Sequence, residues 1–325
     1  MALRRRDFLR FSATALAVPA ASRFAEAQSY PSRPVRIIVG FPAGGPVDIA
    51  ARVISPWLSA RLGQPFVVEN RPGKSGNLAT REVVRAAPDG HTLLLCGPVN
   101  TINTTLFTGL DFDFTHDLKP VASISRVPLV VEVHPSVEAR SVSDFLALAK
   151  TRPGAIRVAY AGNGTPQHIG IELLKMMAGV DLRLVPYLGS APALADLLEG
   201  RVDAMFDPLP SSIAHIRAGR LIALAVTTPT PSEALSDVPA MSSFVPGYEA
   251  GSWFGLASPR STPEAIVGRL NAEVRAGLID PEIAAKLGGM GAAPLSKSVA
   301  EFSEFIALET ARYAEVIRVA GIRAS

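Results

Sequence analysis

Short apolar, largely β-branched runs alternate with amphipathic stretches along nearly the whole chain, which is the signature of βαβ units and a mostly parallel sheet. The runs predict strands over 35–41, 66–69, 92–96, 121–134, 157–160, 183–187, 204–207, 222–227 and 253–258, with helices filling most of the intervals. Several helix starts are marked. Thr262-Pro263-Glu264 and Asp280-Pro281-Glu282 each set a capping oxygen ahead of a proline at the first helical position, and Ser298 with Glu301 forms a capping box. The last helix carries Val299, Phe302, Ile306, Tyr313 and Ile317 on one face, as a helix packed across a lobe requires.

The run 121–134 is longer than the usual strand of about 5–6 residues and contains Pro128, which suits a strand crossing between two bodies. The run 253–258 is then the return crossing. The expected division is an export signal at 1–27, lobe 1 from 28–126 plus 253–325, and lobe 2 from 127–252. At 325 residues the chain is long enough for two moderate cores.

The beginning of the chain reads as an address. Arg4, Arg5, Arg6, Asp7, Phe8, Leu9 and Arg10 resemble a twin-arginine n-region, a weakly apolar stretch follows, and Ala25-Glu26-Ala27 fits a small-x-small cleavage site. Whether export takes the twin-arginine or the general route stays open. Losing residues 1–27 removes five of 32 basic and two of 29 acidic residues, leaving 27 of each. The mature chain is formally neutral, so no basic face for nucleic acid or anionic lipid is expected. Cys96 is the only cysteine, which rules out an intramolecular disulfide and reads as a small buried hydrophobe.

Two strand-to-helix turns carry candidate binding chemistry. In the first, Phe41, Ala43, Gly44 and Gly45 precede Pro46 and Asp48. Adjacent glycines let a ligand approach the backbone, and the free N–H groups of the helix start attract anions. Asp48 reads either as a capping carboxylate or as a direct ligand contact. In the second turn, Gly162, Asn163, Gly164 and Thr165 precede Pro166, with His168 in the first helical turn. One turn in each lobe would face two partial positive charges across a cleft, and a carboxylate is the natural guest.

Other chemistries fail on spacing. Gly73-Lys74-Ser75 imitates the end of a P-loop, but Val68 stands where its leading glycine belongs, and Gln167 replaces the third glycine of a dinucleotide fingerprint begun at Gly162. His91, His116, His134, His168 and His215 show no metal-ligand spacing, and no serine lies in a nucleophile elbow. No enzyme, cofactor or metal is expected.

Together with Val68-Glu-Asn-Arg-Pro-Gly73, Ala87-Pro-Asp-Gly-His-Thr-Leu93, Tyr187-Leu-Gly-Ser-Ala-Pro-Ala193, Gly200-Arg-Val-Asp203 and Pro246-Gly-Tyr-Glu249, these turns make the chain resemble the Bug family, periplasmic receptors associated with tripartite tricarboxylate transporters. The resemblance covers nearly all of the mature chain. It implies an α/β, two-lobed Venus-flytrap fold of the type II periplasmic binding class with two interlobe strand crossings. It also implies a small carboxylated ligand, an organic acid, dicarboxylate or acidic amino acid, held by backbone groups of the two turns. The implied partners are the membrane permease subunits of a tripartite transporter, with the receptor a soluble periplasmic monomer. Asp207 stands where such receptors place a cleft-facing acid, open to a ligand ammonium, hydroxyl or water, or to a structural role. Pro166 and Pro208 depart from the family pattern. A sensor subunit presenting its ligand to a membrane kinase remains the alternative, and an enzyme of the same fold a further one.

Overall fold

The computed structural model describes residues 30–323; the leader reading lies outside them. The elements follow in the order β1 (Val35–Val39), α1 (Pro46–Leu62), β2 (Phe66–Asn70), α2 (Asn77–Val84), β3 (Thr92–Cys96), α3 (Pro98–Leu106), α4 (Phe114–Asp117) and β4 (Leu118–Val133). The middle of the chain gives α5 (Val142–Thr151), β5 (Arg157–Tyr160), α6 (Pro166–Ala178), β6 (Arg183–Pro186), α7 (Ser190–Leu198), β7 (Ala204–Pro208), α8 (Leu209–Arg217) and β8 (Ile222–Val226). The return comprises β9 (Gly251–Pro259), α9 (Glu264–Leu278), α10 (Pro281–Gly289), β10 (Ala293–Pro294) and α11 (Val299–Ala320).

The fold is a two-lobed α/β receptor of the periplasmic binding class. Strand order is β2-β1-β3-β9-β4-β7-β5-β6, with β8 and β10 pairing on β4. The pairs β1/β2, β1/β3, β5/β6 and β5/β7 are parallel, as alternating strands and helices require. Every pairing of β4 and β9 is antiparallel, because these long strands carry the chain across and back. The sheet is therefore more mixed than the alternation alone predicts.

Pro128 marks the handover. Residues Leu118 to Pro128 of β4 pair with β9, and Leu129 to Val133 pair with β7 and β8. Proline has no N–H to donate to a ladder, so it fits where one set of partners ends and the next begins. Beyond it, Thr227 Oγ1 sits 3.0 Å from Leu129 N and O, tying β8 to the new ladder.

Each sheet has its own core. One contains Ile37, Ile54, Leu58, Leu256 and Leu270, with a second around Trp253 and Phe302 on the opposite face; the other lobe buries Phe145, Val158, Leu174, Phe206 and Tyr248. Helix α11 does more than cover one lobe. Tyr313 and Ile317 pack with Ile102 and Leu106 of α3 and with Ile169 of α6, so its last turns bridge the two.

Local signals hold with one exception. Asp280 accepts from the N–H groups of Glu282 and Ile283, and Ser298 with Glu301 closes the capping box. Thr262 does not cap α9: the helix begins at Glu264, and the Thr262 hydroxyl donates to Pro259 O at 2.8 Å. Cys96 is fully buried, which pushes its thiol pKa up and keeps it protonated.

Candidate functional site

A cleft of about 600 Å³, its open mouth included, lies between the sheets. Four helix starts converge on it. Its walls include Gly45, Pro46 and Val47 of α1, Gly97, Pro98 and Val99 of α3, Thr165, Pro166 and Gln167 of α6, and Ser190 of α7. Pro208, ahead of α8, completes the ring. Three of these helices carry proline at the first position, where the missing N–H costs nothing. The next residue in each, Val47, Val99 or Gln167, keeps an N–H that no carbonyl of its own helix can reach. Among the described residues no Lys, Arg or His lines the cleft. Its positive character comes from peptide dipoles, each helix start contributing roughly half an elementary charge.

The structure sorts the expected residues into layers. Phe41, Gly45 and Thr165 line the cleft. Ala43 and Gly44 are exposed in the same first turn, and the Gly44 position meets Ala191 of α7 across the gap. Asp48 lies behind this turn, 2% exposed, and accepts from Gly44 N at 3.0 Å, Arg52 Nε at 2.9 Å and Asn70 Nδ2 at 3.0 Å. Burial pushes its carboxyl pKa up, but the hydrogen bonds from Arg52, Gly44 and Asn70 outweigh burial and hold it below the ordinary value. Asn70 also donates to Phe41 O, so Asp48 braces the turn against the end of β2.

The second turn consumes its own donors. Gly164 N donates to His168 Nδ1 at 3.3 Å, and the Thr165 hydroxyl donates to Gly162 O at 2.8 Å while accepting from His168 N. Gly162, Asn163 and Gly164 shape the turn without lining the cleft, and Tyr160 Oη donates to Asn163 Oδ1. His168 stacks on Tyr160 at 5.2 Å, and desolvation lowers its pKa to about 4, so it is a neutral acceptor at physiological pH. With these donors spent, the N–H of Gln167 is the one at the cleft wall that no carbonyl of its own helix can reach.

Asp207 is also set back. Its fully buried carboxylate accepts from Ser190 Oγ at 2.6 Å, Gln167 Nε2 at 3.2 Å, Ser212 Oγ at 3.1 Å and Ser211 Oγ. Ser190 and Gln167 stand between it and the cleft.

The two halves meet closely. A Cβ at Gly189 would lie 2.6 Å from Pro42 Cδ, one at Gly164 would lie 2.3 Å from Asn103 Oδ1, and one at Gly162 would approach Ser75 Oγ to 3.4 Å. The two halves thus touch beside the cleft. Among the described residues no group of three or more His, Cys, Asp or Glu could hold a metal, and no helix is long and apolar enough to cross a membrane.

The sequence patterns missed the third and fourth helix starts. Gly97-Pro98 follows β3 with the same Gly-Pro order as Gly45-Pro46, a signal that was there to be read. The N–H of Gln167 is legible as a free donor after Thr165-Pro166, whereas Ser190 carries no such mark, because its role arises only when α6, α7 and β7 meet.

Comparison with known proteins supplies the family. The model of the tripartite tricarboxylate transporter family receptor matches residues 50–322. The chain belongs to this family. Protein BugT of Bordetella pertussis is 35% identical over 301 residues, 91% of this chain and 92% of BugT. An R. palustris protein solved with adipate superposes with a TM-score of 0.88 at 38% identity, covering 90% of this chain and 99% of that one. MatC from Rhodopseudomonas palustris with bound malate gives 0.84 at 32% identity, covering 89% and 100%. As in these relatives, the family role is that of a solute-binding receptor.

Proposed function

We propose that this receptor binds a small organic acid in the cleft and delivers it to the permease subunits of a tripartite transporter from the periplasm. The observation that carries the reading is the convergence of four helix starts on a cleft with no basic side chain among its described residues. Such a site stabilises an anion through peptide N–H groups and dipoles, each favourable partly buried helix start contributing up to ~2 kcal/mol. The relatives solved with adipate and malate support a carboxylate as that anion.

Site roles follow from the layers. Val47, Val99, Gln167 and Ser190 present backbone donors to the ligand, with Phe41, Gly45 and Thr165 shaping the walls. Asp48, Gly162, Asn163, Gly164, His168 and Asp207 hold those walls in place. Lobe 1 comprises 28–126 and 253–325, lobe 2 comprises 127–252, and the crossings near Pro128 and Gly251 serve as hinges. Residues 1–27 are removed on export.

The test is a thermal-shift and calorimetric screen of organic acids against their neutral amides. An acid at 100 times its Kd raises stability by ~2.7 kcal/mol, and its diamide gives no shift. Equal binding of acid and amide would overturn the reading, as would conversion of the ligand in proportion to protein.

A further inference from the structure

The cleft has a floor where β9 crosses between the lobes, and the alternation of that strand decides which side chains reach it. Trp253 belongs to the core around Phe302, whereas Phe254 and Leu256 belong to the core with Ile37, so the even-numbered positions of β9 share one face. Ser252 is on that face, opposite Val127 of β4, and both Ser252 and Phe254 line the cleft. The crossing also passes the start of α3: a Cβ on Gly97 would lie 2.8 Å from Trp253 O and 3.5 Å from Phe254 Cδ1.

The hydroxyls of the cleft are of two kinds. Thr80 Oγ1 donates to Gly76 O at 3.1 Å, Thr165 Oγ1 donates to Gly162 O at 2.8 Å, and Ser190 Oγ lies 2.6 Å from Asp207 Oδ1. Each of these has an acceptor in the protein. Ser252 is 4% exposed, and its hydroxyl makes no hydrogen bond among the described residues. Ser258, further along the same face of β9, also lacks a partner, but its hydroxyl is sealed in the interior. Two unpaired hydroxyls on one strand face therefore differ in what they can reach. Ser252 has the cleft before it, and Ser258 has only packed protein.

A hydroxyl withdrawn from water gains most from a charged acceptor. We infer that Ser252 is a ligand-binding residue whose hydroxyl donates to the carboxylate of the bound acid, fixing it against the crossing strand. This rests on the proposed binding of a carboxylate at the helix starts and adds a side-chain donor to their backbone donors. Removing the hydroxyl then separates binding from folding. The ligand-free protein loses no internal hydrogen bond, whereas the complex loses a charge-assisted one.

Calorimetry with succinate, malate, adipate, citrate and benzoate tests it, with the tightest-binding of the five carried from the wild type to Ser252→Ala and Ser258→Ala. Urea unfolding of each ligand-free protein runs alongside. Ser252→Ala should weaken the acid roughly 10- to 150-fold while unfolding no more readily than wild type. Ser258→Ala should also unfold no more readily, and should bind within ~2-fold of wild type because its hydroxyl reaches no ligand. An affinity of Ser252→Ala within ~3-fold of wild type overturns the assignment, as does an equal loss in Ser258→Ala, which would put the effect in the strand. Earlier unfolding of ligand-free Ser252→Ala also overturns it, because the hydroxyl would then be bonded within the protein. Failure of all five acids to bind the wild type would instead overturn the carboxylate reading, and this contact with it.

Discussion

Gly164 offers a way to separate holding the fold from closing the cleft. Its φ is +77°, and a Cβ there would lie 2.3 Å from Asn103 Oδ1 and 3.2 Å from Leu106 Cδ2 and Phe107 Cε2. Gly164 follows β5, whereas Asn103 belongs to α3 beside β3, so the obstruction lies between the two sheets. Asn103 cannot swing away. It is 2% exposed, and its amide nitrogen donates to Ser75 O at 3.0 Å and Asn77 Oδ1 at 2.9 Å. Gly164→Ala therefore acts twice. Left-handed backbone costs ~1–2 kcal/mol in any folded form, and overpacking against α3 costs ~1–3 kcal/mol in the closed form alone. Only the second part weakens binding, by roughly 5- to 150-fold in Kd. Gly179, with φ +63° and nothing within 4 Å of an added Cβ, is the matched control. Gly179→Ala should lose similar folding stability in urea and keep its affinity. Calorimetric Kd values indistinguishable between the two variants would refute the assignment of Gly164 to closure.

Other outcomes follow from the layers behind the cleft. Thr165→Val should lower unfolding free energy by ~1 kcal/mol through the lost cap, with the carboxylate affinity changed less than ~10-fold, because the Thr165 hydrogen is spent on Gly162 O; denaturation and calorimetry on one sample read both. For His168, the folded pKa of about 4 lies below the ordinary 6.5, so its contribution is fully present above pH 6.5 and lost as pH falls from there through 4. That is about 3 kcal/mol at the limit, and the stability difference between wild type and His168→Gln should vary with pH across this window; a constant difference would contradict a buried neutral imidazole. Glu132 is fully buried with Oε2 unpartnered, and desolvation, then the charge of Asp207, pushes its pKa well up; Glu132→Gln should therefore change stability by less than ~1 kcal/mol at neutral pH, since an amide can make the donation that a protonated acid makes, and a loss of several kcal/mol in urea denaturation would contradict a neutral carboxyl. Intact mass of periplasmic protein should start after Ala27, and a species retaining Arg5 and Arg6 would contradict cleavage there.

Much of the fold was legible because it depends on short-range rules. The strand runs 92–96 and 157–160 coincide with β3 and β5, and a long apolar run holding Pro128 does carry the chain from one set of partners to the next. Thr262 misled because a hydroxyl before Pro263 can bond backward as easily as forward, and here Pro259 O takes it. The cleft was half legible. Gly45-Pro46 and Thr165-Pro166 announce helix starts, whereas Ser190 and Gln167 owe their chemistry to Asp207, 17 and 40 residues away in the chain. No local pattern encodes hydrogen bonds that form only when α6, α7, β7 and α8 pack together.

The central claim is that backbone donors at converging helix starts hold the ligand, and backbone amide NMR addresses it directly. In the 1H–15N spectrum of the labelled receptor, titration with the tightest-binding acid should shift the Val47, Val99, Gln167 and Ser190 amide protons downfield, as charge-assisted hydrogen bonds do, while the neutral amide analogue leaves them in place. Saturable binding of the acid with those four resonances unmoved would contradict the account.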